Sequence, residues 1–370
     1  LCNRFHRGDP IVDYVITSMR DARPNQPSAS QERRAASIDD VAHAASVSTA
    51  TVSRVLNNPA LVTPATAARV QKAILALDYR PNLLAKGLST RRSRVLGIAL
   101  PDLFGEFYSE LLRGADGEAR RHGYHLLVSS EARIANGGHE QDHNFTFGLI
   151  DGLAVMITEP DESIWSEVRK STLPVVVLDS DIRAKGVSSI VVDSEGGTTE
   201  AMEHLLGSVA PDRCYFIGGP ERNFDTAERA RAFASALRSR GHEPRPGQST
   251  FGSYTLECGH EWAAANLPRI MESKLPIAVL AANDEIAYGV MQVAHNMGYA
   301  IPQDIRLVGF DDSRLASLVR PRLSSVRIPA AEIGAAAIKL LVERISTPTS
   351  AVAKLRLGSS LVIRESSKVR

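Results

Sequence analysis

Cysteine is scarce in this 370-residue sequence, which has only Cys2, Cys214 and Cys258. So few thiols, so widely spaced, exclude a disulfide framework and a thiolate metal site, and they are typical of a reducing compartment. Apolar runs of about 18 residues or more, the length that a membrane helix needs, are also lacking. The N-terminus shows no basic-then-apolar secretory signal. We therefore expect a cytoplasmic protein without a membrane span.

Several catalytic motifs are missing as well. The sequence contains neither glycine-rich phosphate loop, G-x-x-x-x-G-K-[ST] or G-x-G-x-x-G, no G-x-S-x-G nucleophile elbow and no C-x-x-C pair. These absences predict a protein that is not an enzyme and that uses neither a cofactor nor a metal.

Helix-start signals are abundant in residues 37–80. Ser37 with Asp40 forms a capping box, Ser48 precedes a second short segment, and Thr63-Pro64 combines an N-cap with a proline at the first helical position. The pattern predicts three helices. Their apolar faces are expected to share one small core, and its predicted members are Ile38, Val41, Ala42, Ala45, Val52, Val55, Ala67, Val70, Ile74 and Leu77.

Only the short connection Ala45-Ser46-Val47 separates the first two predicted helices. Such a connection forces a sharp crossing, which is the helix-turn-helix arrangement, and the second helix then protrudes with a slim, hydroxyl-rich outer face. Residues 37–94 hold eight Lys/Arg against three Asp/Glu, whereas residues 95–370 hold 29 against 35. A basic head on an acidic body predicts a polyanion partner for the head. A plain three-helix bundle with a solvated face is the alternative.

The stretches "IDDVAHAASVSTATVSRVLNN" and "VTPATAARVQKAILALDYRPNLLAKGLSTRRS" closely resemble the DNA-binding head of the lactose/galactose repressor family. Ser46 departs from that pattern, since most members have glycine at this turn. The resemblance implies that Thr49 and Ala50 vary with operator sequence, and that residues 81–94 form a hinge helix whose Leu88 wedges into the minor groove. The alternative is that the hinge leucines pack on the body. The implied DNA-contacting residues are Ser48, Thr49, Ala50, Thr51, Ser53, Arg54, Asn57, Asn82, Leu83, Ala85, Lys86 and Leu88.

From residue 95 onward, β-rich runs alternate with amphipathic stretches, which predicts parallel sheets covered by helices, most naturally two sheets. This body resembles the periplasmic sugar-binding fold of the same family. The predicted fold class is an all-α helix-turn-helix DNA-binding head plus an α/β body of two parallel-sheet lobes. The predicted strands lie within 94–101, 124–130, 152–157, 174–179, 188–193, 213–219, 277–283 and 305–312, and the helices near 106–122, 195–209, 227–241, 257–272 and 284–298.

The predicted domain division has four parts. Residues 1–36 form a disordered extension, 37–80 the helix-turn-helix domain, 81–94 the hinge and 95–370 the effector-binding and dimerisation domain. Within the body, lobe 1 takes about 95–193 and 328–355, and lobe 2 about 194–327 and 356–370. The chain ends at Arg370 without a leucine heptad tail, so a dimer is expected rather than a tetramer.

Ligands of parallel-sheet lobes bind at the carboxyl ends of strands, in the cleft between the halves. By motif, the resemblance carries effector contacts onto Arg229, Asn283 and Asp311. Acids, an amide, one arginine and aromatic rings suit a sugar, and a nucleoside fits nearly as well. Asp284 and Asp312 also lie at strand ends and could contact the ligand, but they could instead cap the following helices. Phe107 or Tyr108 could be ordinary core residues. The predicted effector-binding residues are Phe104, Phe107, Tyr108, Asp179, Asp225, Arg229, Asn283 and Asp311.

The sequence therefore predicts a transcriptional regulator, a repressor whose affinity for a pseudo-palindromic double-stranded operator is controlled by a small polar effector, a sugar or sugar derivative. It is expected to be a cytoplasmic homodimer, associated with the nucleoid when bound to operator. The alternative is a free-standing sugar-binding transport protein without a DNA function.

Overall fold

A computed structural model describes residues 36–79, 92–130, 149–158, 162–180 and 186–368. The chain divides into two units, one ending at Asn82 and the other beginning at Leu83. The first unit is called the head and the second the body.

The head contains the three predicted helices, α1 (Ile38–Ala45), α2 (Thr49–Asn57) and α3 (Pro64–Ala76). The capping box is confirmed, because Ser37 Oγ accepts from Asp40 N at 3.2 Å and Asp40 Oδ2 accepts from Ser37 N at 2.7 Å. Ser48 caps α2 through Thr51 N at 3.2 Å. Thr63 makes no side-chain cap, since its hydroxyl donates instead to Thr66 Oγ1.

The turn between α1 and α2 has the left-handed conformation at Ser46, with φ 50° and ψ 51°. A residue with a Cβ is strained in this region, which explains why glycine suits the position. In the core of the head, Val41, Val52 and Val70 have no exposed surface. The prediction for Leu77 is wrong, because this side chain is 37% exposed just past the end of α3.

The first sheet of the body is parallel throughout and has the strand order β11-β5-β4-β3-β1-β2. Its central strands are buried on both faces, which accounts for their continuous Val/Leu/Ile runs. Its strands are β1 (Val95–Leu100), β2 (His125–Ser130), β3 (Gly152–Met156), β4 (Val175–Leu178), β5 (Ser188–Val192) and β11 (Lys354–Leu357).

The second sheet has the order β12-β10-β9-β8-β6-β7. All its pairs are parallel except β10 with β12, so an antiparallel edge strand completes an otherwise parallel sheet. Its strands are β6 (Cys214–Gly218), β7 (Ser249–Phe251), β8 (Ile277–Ala281), β9 (Ile305–Asp311), β10 (Ser324–Arg327) and β12 (Ser360–Val362).

Helices cover the two sheets, so each sheet with its helices forms one lobe. The first sheet with its helices is called lobe 1, and the second is called lobe 2. In lobe 1 the helices are α4 (Glu106–Arg121), α5 (Glu162–Lys170) and α11 (Ala330–Ser346). In lobe 2 they are α6 (Ser194–Leu206), α7 (Phe224–Ser239), α8 (Leu256–Ile270), α9 (Asp284–Asn296) and α10 (Arg314–Leu318).

The chain passes between the lobes three times, between β5 and α6, between β10 and α11, and between β11 and β12. The predicted boundary at 355/356 is two residues early, because β11 pairs with β5 through Leu357. The helices α5, α10 and α11 and the short strands β7, β10, β11 and β12 were not predicted. No helix in the described part of the chain is long and apolar enough to cross a membrane.

Candidate functional site

The outer surface of α2 presents the side chains that were predicted to read DNA. Thr49, Ala50 and Arg54 are exposed, while Val52 and Val55 on the opposite face are buried in the head. Ser48 and Thr51 are engaged with each other at the helix start, where their hydroxyl oxygens are 3.0 Å apart. The helix is therefore held by its inner face and leaves a small, polar outer face accessible.

Ser53, also predicted to contact DNA, is half-buried on α2, and the other predicted contacts cannot be placed. The side chain of Asn57 and all of Asn82, Leu83, Ala85, Lys86 and Leu88 lie outside the described residues.

Between the two lobes of the body lies a cavity of about 520 Å³. All eight predicted effector-binding residues line it, four from each lobe. Lobe 1 contributes Phe104, Phe107, Tyr108 and Asp179, and lobe 2 contributes Asp225, Arg229, Asn283 and Asp311.

Two carboxyl groups reach the cavity from the ends of strands on opposite sides. Asp179 directly follows β4 with φ 58°, and Asp311 is the last residue of β9 with φ 100°. Positive φ is uncommon for residues other than glycine, although aspartate adopts it more readily than most, and strained residues concentrate at functional sites. Both carboxyl groups line the cavity, and no donor from the described residues forms a hydrogen bond with either of them.

The electrostatics of the cavity favour the uncharged form of these acids. Burial raises the pKa of Asp179 well above its usual value, and the nearby Asp225 raises it further. Burial also raises the pKa of Asp311, with Asp284 adding to the effect. A ligand that donates hydrogen bonds to either carboxylate would offset the cost of burying its charge.

Arg229 is 3% exposed and lies at the centre of the lobe 2 wall. Its Nη1 donates to the carbonyl oxygen of Ala282 at 2.6 Å, and its Nη2 lies 3.5 Å from Asp225 Oδ2, which confirms that these two residues share a helix face. The guanidinium stacks 3.9 Å from the centre of the Phe310 ring. Ser194 Oγ donates to the other Asp225 oxygen at 3.1 Å.

The amide of Asn283 is already engaged by the protein. Its Oδ1 caps α9 through Ile286 N at 2.8 Å, and its Nδ2 donates to the Tyr254 carbonyl oxygen at 3.0 Å. Asp284 and Asp312 do not cap helices. Asp284 accepts from the Ser313 and Ser325 hydroxyls, and burial raises its pKa to about 7. Asp312 instead forms ion pairs with Arg327 and Arg364.

The aromatic residues divide into an exposed and a packed set. Phe104 is 83% exposed at the cavity mouth, whereas Phe107 and Tyr108 stack edge to face at 5.2 Å and also pack on the core. Both interpretations of Phe107 and Tyr108 therefore apply at once. Burial raises the pKa of Tyr108, which keeps its hydroxyl protonated and able to donate a hydrogen bond.

Thr158, Asn223 and Tyr254 also line the cavity, and they were not predicted from the sequence. A signal existed for Asn223, because asparagine is a favoured residue immediately before a helix. Its Oδ1 caps α7 by accepting from Thr226 N at 2.9 Å. Tyr254 follows the three-residue strand β7, which is too short to detect by alternation.

One sequence signal was also missed. Residues 139–143 read His-Glu-Gln-Asp-His, which fits the H-E-x-x-H spacing of zinc sites. These residues lie outside the described part of the chain. Within that part, no group of three or more His, Cys, Asp or Glu side chains could hold a metal ion.

Comparison with known proteins covers both units. Residues 37–82 match the model for bacterial regulatory proteins of the lacI family, and residues 202–367 match the periplasmic binding protein-like domain. Catabolite control protein A of Priestia megaterium is 32% identical over 331 residues, which is 90% of this chain and 99% of that protein.

Solved structures agree with these matches. The Lac repressor dimer bound to operator and the anti-inducer ONPF has a TM-score of 0.77 at 26% identity, covering 91% of this chain and 100% of that one. The complex of the transcriptional regulator CelR with cellobiose has a TM-score of 0.67 at 26% identity, covering 90% and 99%. The head and the body are thus similar to the same regulators along nearly their whole length, and the chain belongs to the LacI family of bacterial DNA-binding transcriptional regulators.

Proposed function

We propose that this regulator controls its operator affinity through a small polyhydroxylated effector bound between the two lobes of the body. The observation that carries the proposal is the pair of carboxyl groups, Asp179 and Asp311, which face the cavity from opposite lobes without a donor from the described residues. Carboxyl groups accept hydrogen bonds from sugar hydroxyls, and aromatic rings such as Phe104 and Tyr254 cover the apolar face of a sugar. The CelR relative is described with cellobiose bound.

The charge of the cavity narrows the effector to an uncharged compound. Arg229 is the only basic residue among the described lining residues, and Asp225 already neutralises it. Seven acids line the same cavity, and the described lining residues offer no unpaired cation to bind a phosphate or a carboxylate. An unphosphorylated sugar fits this environment, and a neutral nucleoside fits it nearly as well. The lining acids are Asp102, Glu106, Asp179, Asp225, Asp284, Glu285 and Asp311.

The head acts by inserting α2 into the major groove. Thr49 and Ala50 would read base edges, and Arg54 would bind a guanine or a phosphate. A homodimer would place two such helices on a pseudo-palindromic operator, with the hinge segment 81–94 joining each head to its body. The remaining proposed DNA contacts are Ser48, Thr51, Ser53, Asn57, Asn82, Leu83, Ala85, Lys86 and Leu88.

The domain division follows from the same function. Residues 37–80 would bind DNA, and residues 95–370 would bind the effector and the second subunit, with residues 1–36 as an extension. We assign the protein to the cytoplasm, associated with the nucleoid when it is on its operator, and we assign it no catalytic activity. A free-standing sugar-binding transport protein is disfavoured, because residues 37–82 match the DNA-binding head of the family.

Two measurements on the full-length protein test the proposal. Repeated selection from random duplex DNA should enrich a site with two-fold symmetry, and binding should weaken steeply with salt. Thermal midpoints should rise with one or more neutral mono- or disaccharides or nucleosides, and the phosphorylated form of the same compound should be ineffective. Enrichment of no symmetric site would overturn the DNA part, and a preference for the phosphorylated compound would overturn the effector part.

A further inference from the structure

The start of helix α7 reaches across the cavity into lobe 1. Asn223, the residue before α7, donates from Nδ2 to the carbonyl oxygen of Thr158 in lobe 1 at 2.9 Å. Its Oδ1 accepts from Thr226 N and from the Tyr254 hydroxyl, both at 2.9 Å. The side chain is thereby fixed on lobe 2 by two hydrogen bonds, and its remaining donor holds lobe 1.

One turn further along α7, Glu228 contacts lobe 1 at the hinge side. Its carboxylate is buried, at 6% exposure, and it accepts from both terminal nitrogens of Arg356 at 3.1 and 3.2 Å. Arg356 belongs to β11 of the first sheet and also lies 3.6 Å from Asp193 Oδ1 at the first chain crossing. A bidentate guanidinium–carboxylate pair holds its two elements in a defined orientation.

The predicted effector contacts lie between these two attachments. Asp225 and Arg229 occupy the same first turns of α7 as Asn223 and Glu228, and they face the cavity. Neighbouring turns of one helix move together, because their backbone hydrogen bonds keep them rigid. A ligand that displaces the cavity face of α7 must therefore alter both attachments to lobe 1.

We propose that Asn223 and Glu228 are positioning residues that couple the effector cavity to lobe 1, and that their bonds hold the two lobes in the observed arrangement. This inference rests on the proposed function only for its regulatory consequence. Each bond joins groups that belong to different lobes in the observed arrangement, so each favours that arrangement over one in which the two groups are apart. A single hydrogen bond shifts such an equilibrium by about fivefold.

The test uses the full-length protein without effector. Asn223→Ser retains a good helix cap but is too short to reach Thr158, and Asn223→Asp retains the acceptor oxygens but cannot donate. Glu228→Gln and Arg356→Gln weaken the hinge pair from either side. Glu243→Gln is the matched control, because it removes an exposed ion pair with Arg238 at the other end of α7, within lobe 2.

Small-angle X-ray scattering should show a larger radius of gyration for the four test variants and the wild-type value for Glu243→Gln. The affinity for the selected operator should change in the same direction in all four, by about fivefold, when measured at a temperature at which circular dichroism shows each variant to be folded. Scattering unchanged in the four variants would overturn the coupling. A larger radius of gyration with unchanged operator affinity would overturn the regulatory consequence of the coupling. Absence of any operator binding by the wild type would count against the proposed function instead.

Discussion

The head and the body place their recognition residues in opposite environments. On α2 the candidate DNA contacts Thr49, Ala50 and Arg54 are exposed, and the small core beneath them is formed by other residues. In the body, Arg229 is 3% exposed and Asp179 is 8% exposed, and both belong to the packed interface of the lobes. A recognition residue in the head can therefore change without affecting the fold, whereas one in the cleft also contributes to stability.

The largest expected effect is a loss of stability in Arg229→Ala, which the exposed Arg54→Ala should not share. Arg229→Ala leaves Asp225 buried without its partner, and breaking such a pair costs about 3–5 kcal/mol of unfolding free energy. Arg54→Ala, at an exposed site, should change that free energy by less than about 0.5 kcal/mol. Urea denaturation of both variants measures the difference. Arg238→Ala, which removes only an exposed pair on α7, is the control, and an equal loss there would refute the burial argument.

Arg54→Ala should instead reduce operator affinity by about 1–3 kcal/mol and relax base preference at one position in each half-site. The measurement is a titration of selected and random duplexes at fixed salt. Arg69→Ala, an exposed arginine on α3, should cost less on the selected site. Equal losses for Arg54→Ala on both duplexes would show that this side chain only contacts phosphate.

The cleft should also show a conflict between stability and function. Because the pKa of Asp179 and of Asp311 is raised in the folded state, these acids reduce stability as pH rises above their unfolded pKa of about 4. Asp179→Asn and Asp311→Asn should therefore raise the thermal midpoint of the effector-free protein by about 2–4 °C at pH 7 and by much less at pH 4.

The same asparagine variants should respond more weakly to effector, since the amide keeps one acceptor oxygen but replaces the other with an NH₂ group that cannot accept from a second hydroxyl. Operator binding titrated with an effector from the ligand screen measures this loss. A midpoint that rises equally at both pH values would mean that ionisation is not the cause of the stabilisation. A full effector response at unchanged concentration would remove that residue from the site.

The smallest effect concerns the turn of the head. Ser46→Gly relieves the positive φ and should stabilise the head by about 0.5–1 kcal/mol. Hydrogen exchange of the amides in 38–57 measures it within the full-length protein. Ser53→Gly, in the middle of α2, should destabilise by a similar amount. If these amides exchange no more slowly in Ser46→Gly than in the wild type, the turn carries no strain.

Most of the head could be predicted because its signals are local. Caps at Ser37 and Ser48 and the short connection at Ser46 act within one or two turns, and the structure confirms all three helices. Leu77 was predicted in the core from helical spacing alone. The spacing could not show that α3 ends at Ala76, and the Leu77 side chain turns outward because it lies past that end. In the body, continuous apolar runs identified the central strands, while the short edge strands β7, β11 and β12 lacked a comparable pattern.

The sequence by itself determined the class of each half, the order of the central strands and helices, and the strand-end position of Asp179 and Asp311, because helix caps, apolar periodicity and strand ends are properties of neighbouring residues. Only the tertiary structure decided which groups remain available to a ligand. It binds the Asn283 amide to the Tyr254 carbonyl oxygen, binds Arg229 to the Ala282 carbonyl oxygen, and joins Asn223 to Thr158 and Glu228 to Arg356 across the lobes. These contacts join residues up to 128 positions apart in the chain, and no local pattern encodes a contact whose energy arises only when two distant segments exclude water from between them.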